Sequence, residues 1–313
     1  MGLFLNLLVV GITNGAIYAL IALGYTMVYG IIELINFAHG DIFMLGTFMV
    51  ITLLGLFSIT SDAAPQRLSW DLVGILALAC IGSMLFCAIL GVVIERIAYR
   101  PLRNAPRLAP LISAIGVSLV LQDSAKLWKG NTTVPFPTIN YDQLTIGPVN
   151  ISTIDIFVIV VAVILMTILQ LIVTHTRMGR AMRAVAQDRD AAALMGVNVN
   201  RIIALTFFIG AGLAGAAAFI FSLKYPNTSF TRGYELGLIA FTAAVLGGIG
   251  NLTGAMLGGF LIGIISSLVT LIPDSILPHG GDAWVPAFTF GILILILVFR
   301  PSGLLGQHVP EKV

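Results

Sequence analysis

"AIYALIALGYTMVYGIIELINFAHGDIFMLGTFMVITLLGLF", Ala16 to Phe57, is two apolar runs joined by one short polar patch. Each run approaches the ~20 residues that a helix needs to cross hydrocarbon. A helix satisfies its own backbone hydrogen bonds, as a lipid solvent demands. The runs do not alternate polar and apolar residues, as a membrane-barrel strand would. The patch between them carries Glu33, Asn36, His39, Gly40 and Asp41. On the insertion scale an Asp at mid-membrane costs ~2.5–3.5 kcal/mol. Such groups lie at an interface, bond between helices, or line a polar path through a broken helix.

The rest of the chain repeats the theme. Of 313 residues, 58% are hydrophobic and only 10% are charged, and the mean hydropathy is +1.03. A soluble domain carries about a quarter charged residues, so a water-facing surface of ordinary composition is excluded. Spans are expected near residues 6–30, 38–57, 72–95, 108–124, 152–174, 202–223 and 284–299. A further apolar stretch, 236–272, is too long for one crossing and holds a glycine-rich centre, "LGGIGNLTG" (246–254). It reads as a helix–break–helix hairpin, re-entrant or crossing twice. The expected fold is an all-α polytopic membrane protein, one transmembrane domain over 1–313, with about eight crossing helices plus broken or re-entrant segments. No Lys or Arg precedes the first apolar run, so a cleaved signal peptide is not expected. Cys80 and Cys87 share one apolar run and read as small, soft packing residues.

The placement of charge gives orientation. Arg96, Arg100, Arg103 and Arg107 fall in one connection, and Arg177, Arg180, Arg183, Arg189 and Arg201 in another. With Arg300 and Lys312 they make eleven of the 16 Lys and Arg residues. Basic connections collect in the cytoplasm, which predicts a cytoplasmic C-terminus and, counting crossings backwards, an N-terminus on the outer face. The opposite connections are turn-rich, and the longest, 129–150, reads as an ordered cap.

Small residues recur at four-residue spacing in Gly250/Gly254/Gly258, Gly259/Gly263, Gly210/Ala214/Ala218 and Gly11/Gly15. That spacing lets helix backbones approach closely in lipid. No phosphate-binding GxxxxGK[ST], HExxH or GxSxG occurs, and the four histidines are scattered. Neither catalysis nor a metal site is expected, no nucleic acid partner is expected beside membrane lipid, and any ATP must be bound by another subunit.

The basic stretch "HTRMGRAMRAVAQDRDAAALMGVNVNR" (175–201) is not linker-like. Its Ala, Met and Leu content predicts a helix over 180–196 stopped at Gly196, with a new helix beginning near Asn198. Such a helix could lie on lipid headgroups or dock on a cytoplasmic partner. "DAAALMG" (190–196) resembles the Glu-Ala-Ala-x-x-x-Gly loop by which ABC importer permeases meet their ATPases, with Asp190 for Glu and without the downstream Ile-x-Leu-Pro. Four longer stretches strengthen the likeness: "ALGYTMVYGIIELINFAHGDIFMLG" (22–46), "IERIAYRPLRNAPRLAPLISAIGVSLVLQ" (94–122), "TRMGRAMRAVAQDRDAAALMGVNVNRIIALTFFIGAGLAG" (176–215) and "FTAAVLGGIGNLTGAMLGGFLIGI" (241–264). Together they resemble the permease subunits of branched-chain amino acid ABC importers, of the LivH type.

The resemblance implies an ABC importer permease fold in a bacterial inner membrane. It implies a homologous second permease (or a second copy), two ABC ATPase subunits that bind ATP and Mg, and a periplasmic substrate-binding protein. It assigns coupling to the ATPase to Arg180, Arg183, Asp188, Asp190, Ala191, Ala192 and Gly196. For the translocation path the residues themselves suggest Asn36, His39, Gly40 and Asp41 at one break and Gly247, Gly248 and Gly250 at the other, since interrupted helices line many transporter sites. The alternative is a stand-alone proton-coupled carrier with Asp41, Glu33 and His39 as a relay.

Overall fold

The computed structural model describes residues 2–61, 66–67, 69–103, 105–106, 108–147 and 149–306. Arg107, His308, Lys312 and the C-terminus lie outside the described residues. Among the described residues eleven α-helices follow one another: α1 (Gly2–Ile32), α2 (His39–Leu56), α3 (Trp70–Ile94), α4 (Leu108–Lys129), α5 (Thr153–His175), α6 (Arg177–Gln187), α7 (Arg189–Leu194), α8 (Val199–Lys224), α9 (Arg232–Gly247), α10 (Leu252–Val269) and α11 (Gly280–Phe299). Eight segments of the described residues are long and apolar enough to cross a membrane. The chain is a multi-pass membrane protein.

Hydropathy does not sort these helices into core and perimeter. The most apolar, α5, is peripheral, whereas α2, among the least apolar, is central. In α8, 78% of the most apolar window is buried within the chain, against 6% in α11. Lipid tails are as apolar as leucine, so no hydrophobic force selects the inner helices. Close backbone packing does. A Cβ on Gly263 would lie 2.3 Å from Gly15 Cα, and one on Gly259 would lie 2.4 Å from Ala19 Cα. The small-residue stripe expected in α1 and α10 is therefore their contact surface. Gly254 and Gly258 face the other way, against Gly247 and Ala243 of α9. The long stretch 236–272 is thus an antiparallel hairpin of two helices, turned by Gly248 (φ 105°) and Gly250 (φ 93°).

One end of the bundle gathers the basic segments. There α3 runs on through a π-turn, Glu95–Tyr99, and a 3₁₀ turn, Arg100–Leu102. Beside them lie the end of α1, the α6–α7 segment, the Gly248–Gly250 turn and residues 300–306. The other end carries the ordered cap, built from strands that the sequence pattern did not reveal. Gln143–Ile146 pairs with Val149–Ser152, Val134–Pro135 with Asn227–Thr228, and Gln66–Arg67 with Ile139–Asn140. Buried Phe136 pins the cap against Phe221 of α8.

The polar patch of the opening stretch produces the most unusual connection. Helix α1 stops where Glu33 takes a left-handed backbone (φ 55°), a costly conformation for a residue with a side chain. The chain then folds back into the bundle. The His39 ring packs against Gly24 of α1, eight residues before α1 ends, or ~12 Å along its axis. Helix α2 therefore begins inside the protein rather than at its surface. The break lies at 33–38, not at 36–41 as the sequence suggested; His39, Gly40 and Asp41 form the first turn of α2. Gly40 is helical and supplies closeness, not flexibility: a Cβ there would meet Gly233 O at 2.3 Å and Gly237 Cα at 2.8 Å.

Filling the α1–α10 contact should separate two central helices. Gly263→Val is expected to lose ~1–3 kcal/mol of stability by overpacking, whereas Gly116→Ala, which meets nothing within 4 Å, should unfold like the parent. Thermal unfolding of the detergent-solubilised protein distinguishes the two.

Candidate functional site

The buried start of α2 joins four helices. Asn36 (2% exposed), His39 (1%) and Asp41 (1%) all point inward. Asn36 Oδ1 accepts the Tyr99 hydroxyl at 2.8 Å, tying the break to the π-turn after α3. Asp41 Oδ2 accepts the Ser118 hydroxyl from α4, and Ser118 Oγ in turn accepts Gln122 Nε2 at 3.2 Å. The other carboxylate oxygen, Oδ1, has no hydrogen-bond partner among the described residues. It abuts α9, where a Cβ on Gly233 would approach it to 2.8 Å. Tyr25 of α1 packs edge-on to the His39 ring, with centroids 4.8 Å apart, and its hydroxyl lies by the Gly40 backbone, where a Cβ on Gly237 would approach both to 3.0 Å.

Two helix N-termini meet here, and neither has a side-chain cap: α2 begins after Ala38 and α9 after Thr231. Their partial positive charge favours a carboxylate nearby, which is where Asp41 sits. An open cavity of about 260 Å³ lies alongside, lined by Tyr25, Phe37, Ile115, Ser118, Gly233, Tyr234, Gly237 and Leu238. Sequence reasoning singled out the polar members of α2 from their cost in lipid. It missed Tyr25 and Ser118, ordinary residues within apolar runs, and Tyr99, which sits among the arginines of the basic connection after α3.

The other glycines expected on a path lie elsewhere. Gly247 packs on Gly254, Gly248 on Gly303 and Gly306, and Gly250 beside Gly30. They shape the α9–α10 turn at the basic end.

The α6–α7 segment is a second candidate surface. The helix expected over 180–196 is broken at Asp188, because that carboxylate caps α7 by accepting Asp190 N and Ala191 N at 2.9 Å. Thr176 caps α6 at 3.0 Å and Asn198 caps α8 at 3.0 Å, each cap worth about 1 kcal/mol. Gly196 (φ 83°) ends α7 as expected. Met182, Val185 and Ala192 are buried toward the bundle. Arg183 donates to the carbonyls of Val173 and Thr174 at the end of α5. Arg189 donates to Ile31 O at the end of α1, 3.0 Å away. Cations suit orphan carbonyls at helix C-termini, so both arginines bind the segment to the bundle. Arg180, Asp190 and Ala191 are exposed, and Leu194 (89%) and Met195 (85%) stand out from the surface.

Between this segment and the bundle is a cavity of about 400 Å³ that includes Glu33, Tyr99, Arg103, Asp188 and Arg189 in its wall. Arg103 pairs with Glu95, which is fully buried, and reaches Asn200 Oδ1 at 2.5 Å. Burial pulls the Arg103 guanidinium below its usual range, opposed by Glu95 and reinforced by Arg100 and Arg189. The sequence counted Arg103 only as one of a basic run. Its partner eight residues away was hidden by the turns that α3 makes in between.

A family model described as branched-chain amino acid transport system / permease component matches residues 7–297. The chain is similar to the high-affinity branched-chain amino acid transport system permease protein BraD of Pseudomonas aeruginosa, at 43% identity over 99% of this chain and 98% of that one. Its similarity to LivH of Escherichia coli is 40% over the same shares. A shorter match to LivM of Methanocaldococcus jannaschii, 30% identical, covers 44% of this chain and 41% of that one.

Removing Arg103 should strand a buried carboxylate. Arg103→Ala is expected to lower stability by about 3 kcal/mol or more, and the pair Glu95→Leu with Arg103→Leu to recover most of the loss. Denaturation midpoints of the purified variants test this.

Proposed function

Because the chain belongs to the permease family of branched-chain amino acid transport systems, we propose that it is the membrane-spanning permease subunit of an ABC importer for leucine, isoleucine, valine or related amino acids. The observation that carries this reading is the full-length likeness to BraD and LivH. The chain supplies half of a translocation path in the bacterial inner membrane, and a homologous permease supplies the other half; the partial likeness to LivM supports a partner of the same kind, with a second copy of this chain as the alternative. A periplasmic binding protein delivers the cargo to the capped end. Two ATPase subunits bind ATP and Mg beneath the basic end. The excess of Arg at that end supports a cytoplasmic location for it, which leaves the N-terminus periplasmic.

In this mechanism α6 and α7 dock on the ATPase. Their exposed apolar tip, Leu194 and Met195, fits a groove, with Arg180, Asp190, Ala191 and Gly196 around it. Arg183, Asp188, Arg189 and buried Ala192 hold the tip to the bundle, so a push on α7 reaches α1 and α5. Asn36, His39, Gly40 and Asp41 form the core of the path at the buried start of α2. Gly247, Gly248 and Gly250 form the turn on which α9 and α10 pivot. A proton relay through Glu33, His39 and Asp41 has less support. No hydrogen bond joins the three among the described residues, and Glu33 is exposed at the basic end.

The purified chain alone should give no amino acid flux in proteoliposomes under a proton gradient. ATP-dependent uptake should appear when the ATPases, second permease and binding protein are added. Flux without ATPases would overturn the proposal in favour of a carrier. In the assembled importer, Leu194→Asp with Met195→Asp should cut uptake at least tenfold while the ATPases remain able to hydrolyse ATP; unchanged coupled uptake would remove α7 from the docking surface.

A further inference from the structure

The cavity beside the start of α2 has a polarity that its lining alone does not suggest. Only two of its lining side chains, Ser118 and Tyr25, place a hydroxyl beside the buried polar groups of α2. Ser118 spends its hydroxyl proton on Asp41 Oδ2, which leaves oxygen lone pairs available; a hydroxyl has two, and Gln122 Nε2 uses one. Ser118 is therefore an acceptor toward the cavity, and the carboxylate behind it raises the negative charge on its oxygen. Tyr25 is in the opposite state. Its oxygen lies at the uncapped first turn of α2, beside Gly40 and Gly237, and among the described residues its proton goes to no hydrogen-bond acceptor. Tyr25 is a donor toward the cavity, backed by the positive N-terminus of α2. Between the two lie Phe37, Ile115 and Leu238, an apolar wall.

An acceptor backed by a carboxylate and a donor backed by a helix N-terminus match the two ends of a zwitterion. We propose that this cavity is a transit subsite for an aliphatic α-amino acid, with the ammonium on Ser118, the carboxylate on Tyr25 and the side chain on Phe37, Ile115 and Leu238. A second observation places negative charge beside the cavity: Asp41 Oδ1 is buried, has no hydrogen-bond partner among the described residues, and lies against Gly233, itself part of the cavity wall. Asp41 acts as a positioning residue. It orients the Ser118 proton and offsets the cargo's positive charge across one hydroxyl in a low-dielectric setting. Ile115 and Tyr234 are exposed on the outside of the chain, so the cavity opens at the surface, where a second permease can close it. The size suits one small amino acid rather than a peptide. The subsite rests on the permease reading above and adds to it the polarity of the bound cargo.

The test uses the intact importer purified through this chain, without its binding protein, and measures equilibrium binding of radiolabelled leucine. Leucinol keeps the ammonium and lacks the carboxylate; isocaproate keeps the carboxylate and lacks the ammonium. Both should compete more weakly than leucine. Ser118→Ala should weaken leucine and leucinol alike, by about tenfold, as loss of a hydrogen bond to a charged group does, and Ser118→Thr should restore binding. Tyr25→Phe should weaken leucine but leave leucinol unchanged. Asp41→Asn should fall between the parent and Ser118→Ala. Equal competition by isocaproate and the uncharged amide isocaproamide, or leucine affinity unchanged in both Ser118→Ala and Tyr25→Phe, would overturn the subsite. Loss of binding in Ser118→Thr as severe as in Ser118→Ala would reduce Ser118 to a packing role and overturn it too. Uptake of all three branched-chain amino acids in the complete parent importer is the separate control: its absence would refute the permease reading, and its presence with flat binding profiles would refute the subsite alone.

Discussion

The start of a helix in the middle of a membrane protein leaves backbone N–H groups that water cannot reach, and each must find a partner or carry a penalty. That constraint governs the region around His39. The first turn of α2 lies beside the Tyr25 hydroxyl, the first turn of α9 lies against a carboxylate, and Asn36 is tied to Tyr99. Five segments far apart in the chain are drawn to one point. The same constraint explains why glycine is so frequent there. Gly24, Gly40, Gly233 and Gly237 let backbones and rings come close enough to serve one another as partners.

Where polar groups are absent, close packing of small residues takes over. Helices α1 and α10 meet along Gly11, Gly15, Gly259 and Gly263, and α3 and α8 meet where Gly215 lies against the backbone of Met84. Ser83 adds a hydroxyl between Gly46 O and Gly215 O, at 3.2 and 3.1 Å. The peripheral helices carry larger apolar side chains outward, such as Leu119 and Val120 on α4 and Val298 and Phe299 on α11. A bundle built in this way has a rigid, small-residue centre and a surface that lipid or another subunit can cover.

Much of this was legible in the sequence, for identifiable reasons. Span positions follow from run length, which lipid thickness sets directly. The inward position of Asn36, His39 and Asp41 follows from the cost of the alternative. Gly196 and Asn198 were readable as stop and start signals because caps are local. The break at Asp188 was not, since "RAMRAVAQDRDAAAL" has high helix propensity throughout, and the decision between continuing and recapping lay in one carboxylate. Ser118 and Tyr25 stayed hidden because a lone hydroxyl in an apolar run is common, and only tertiary structure brings theirs to Asp41 and Gly40. The Glu95–Arg103 pair needed the change of helical pitch after α3, which composition does not announce.

Helix α1 is tied at both extremities. Arg189 grips the Ile31 carbonyl, and at the far end Asn6 Oδ1 accepts the backbone N–H of Asn150 in the cap, 3.0 Å away. Its 31 residues make a rod of ~46 Å. With its centre enclosed by α8, α9 and α10, such a rod behaves as a lever whose fulcrum lies inside the bundle. A tilt of only ~5° would carry the two ends ~4 Å relative to each other at this length, so a movement of α1 at its α7 end would be matched by a displacement at the cap on the opposite face.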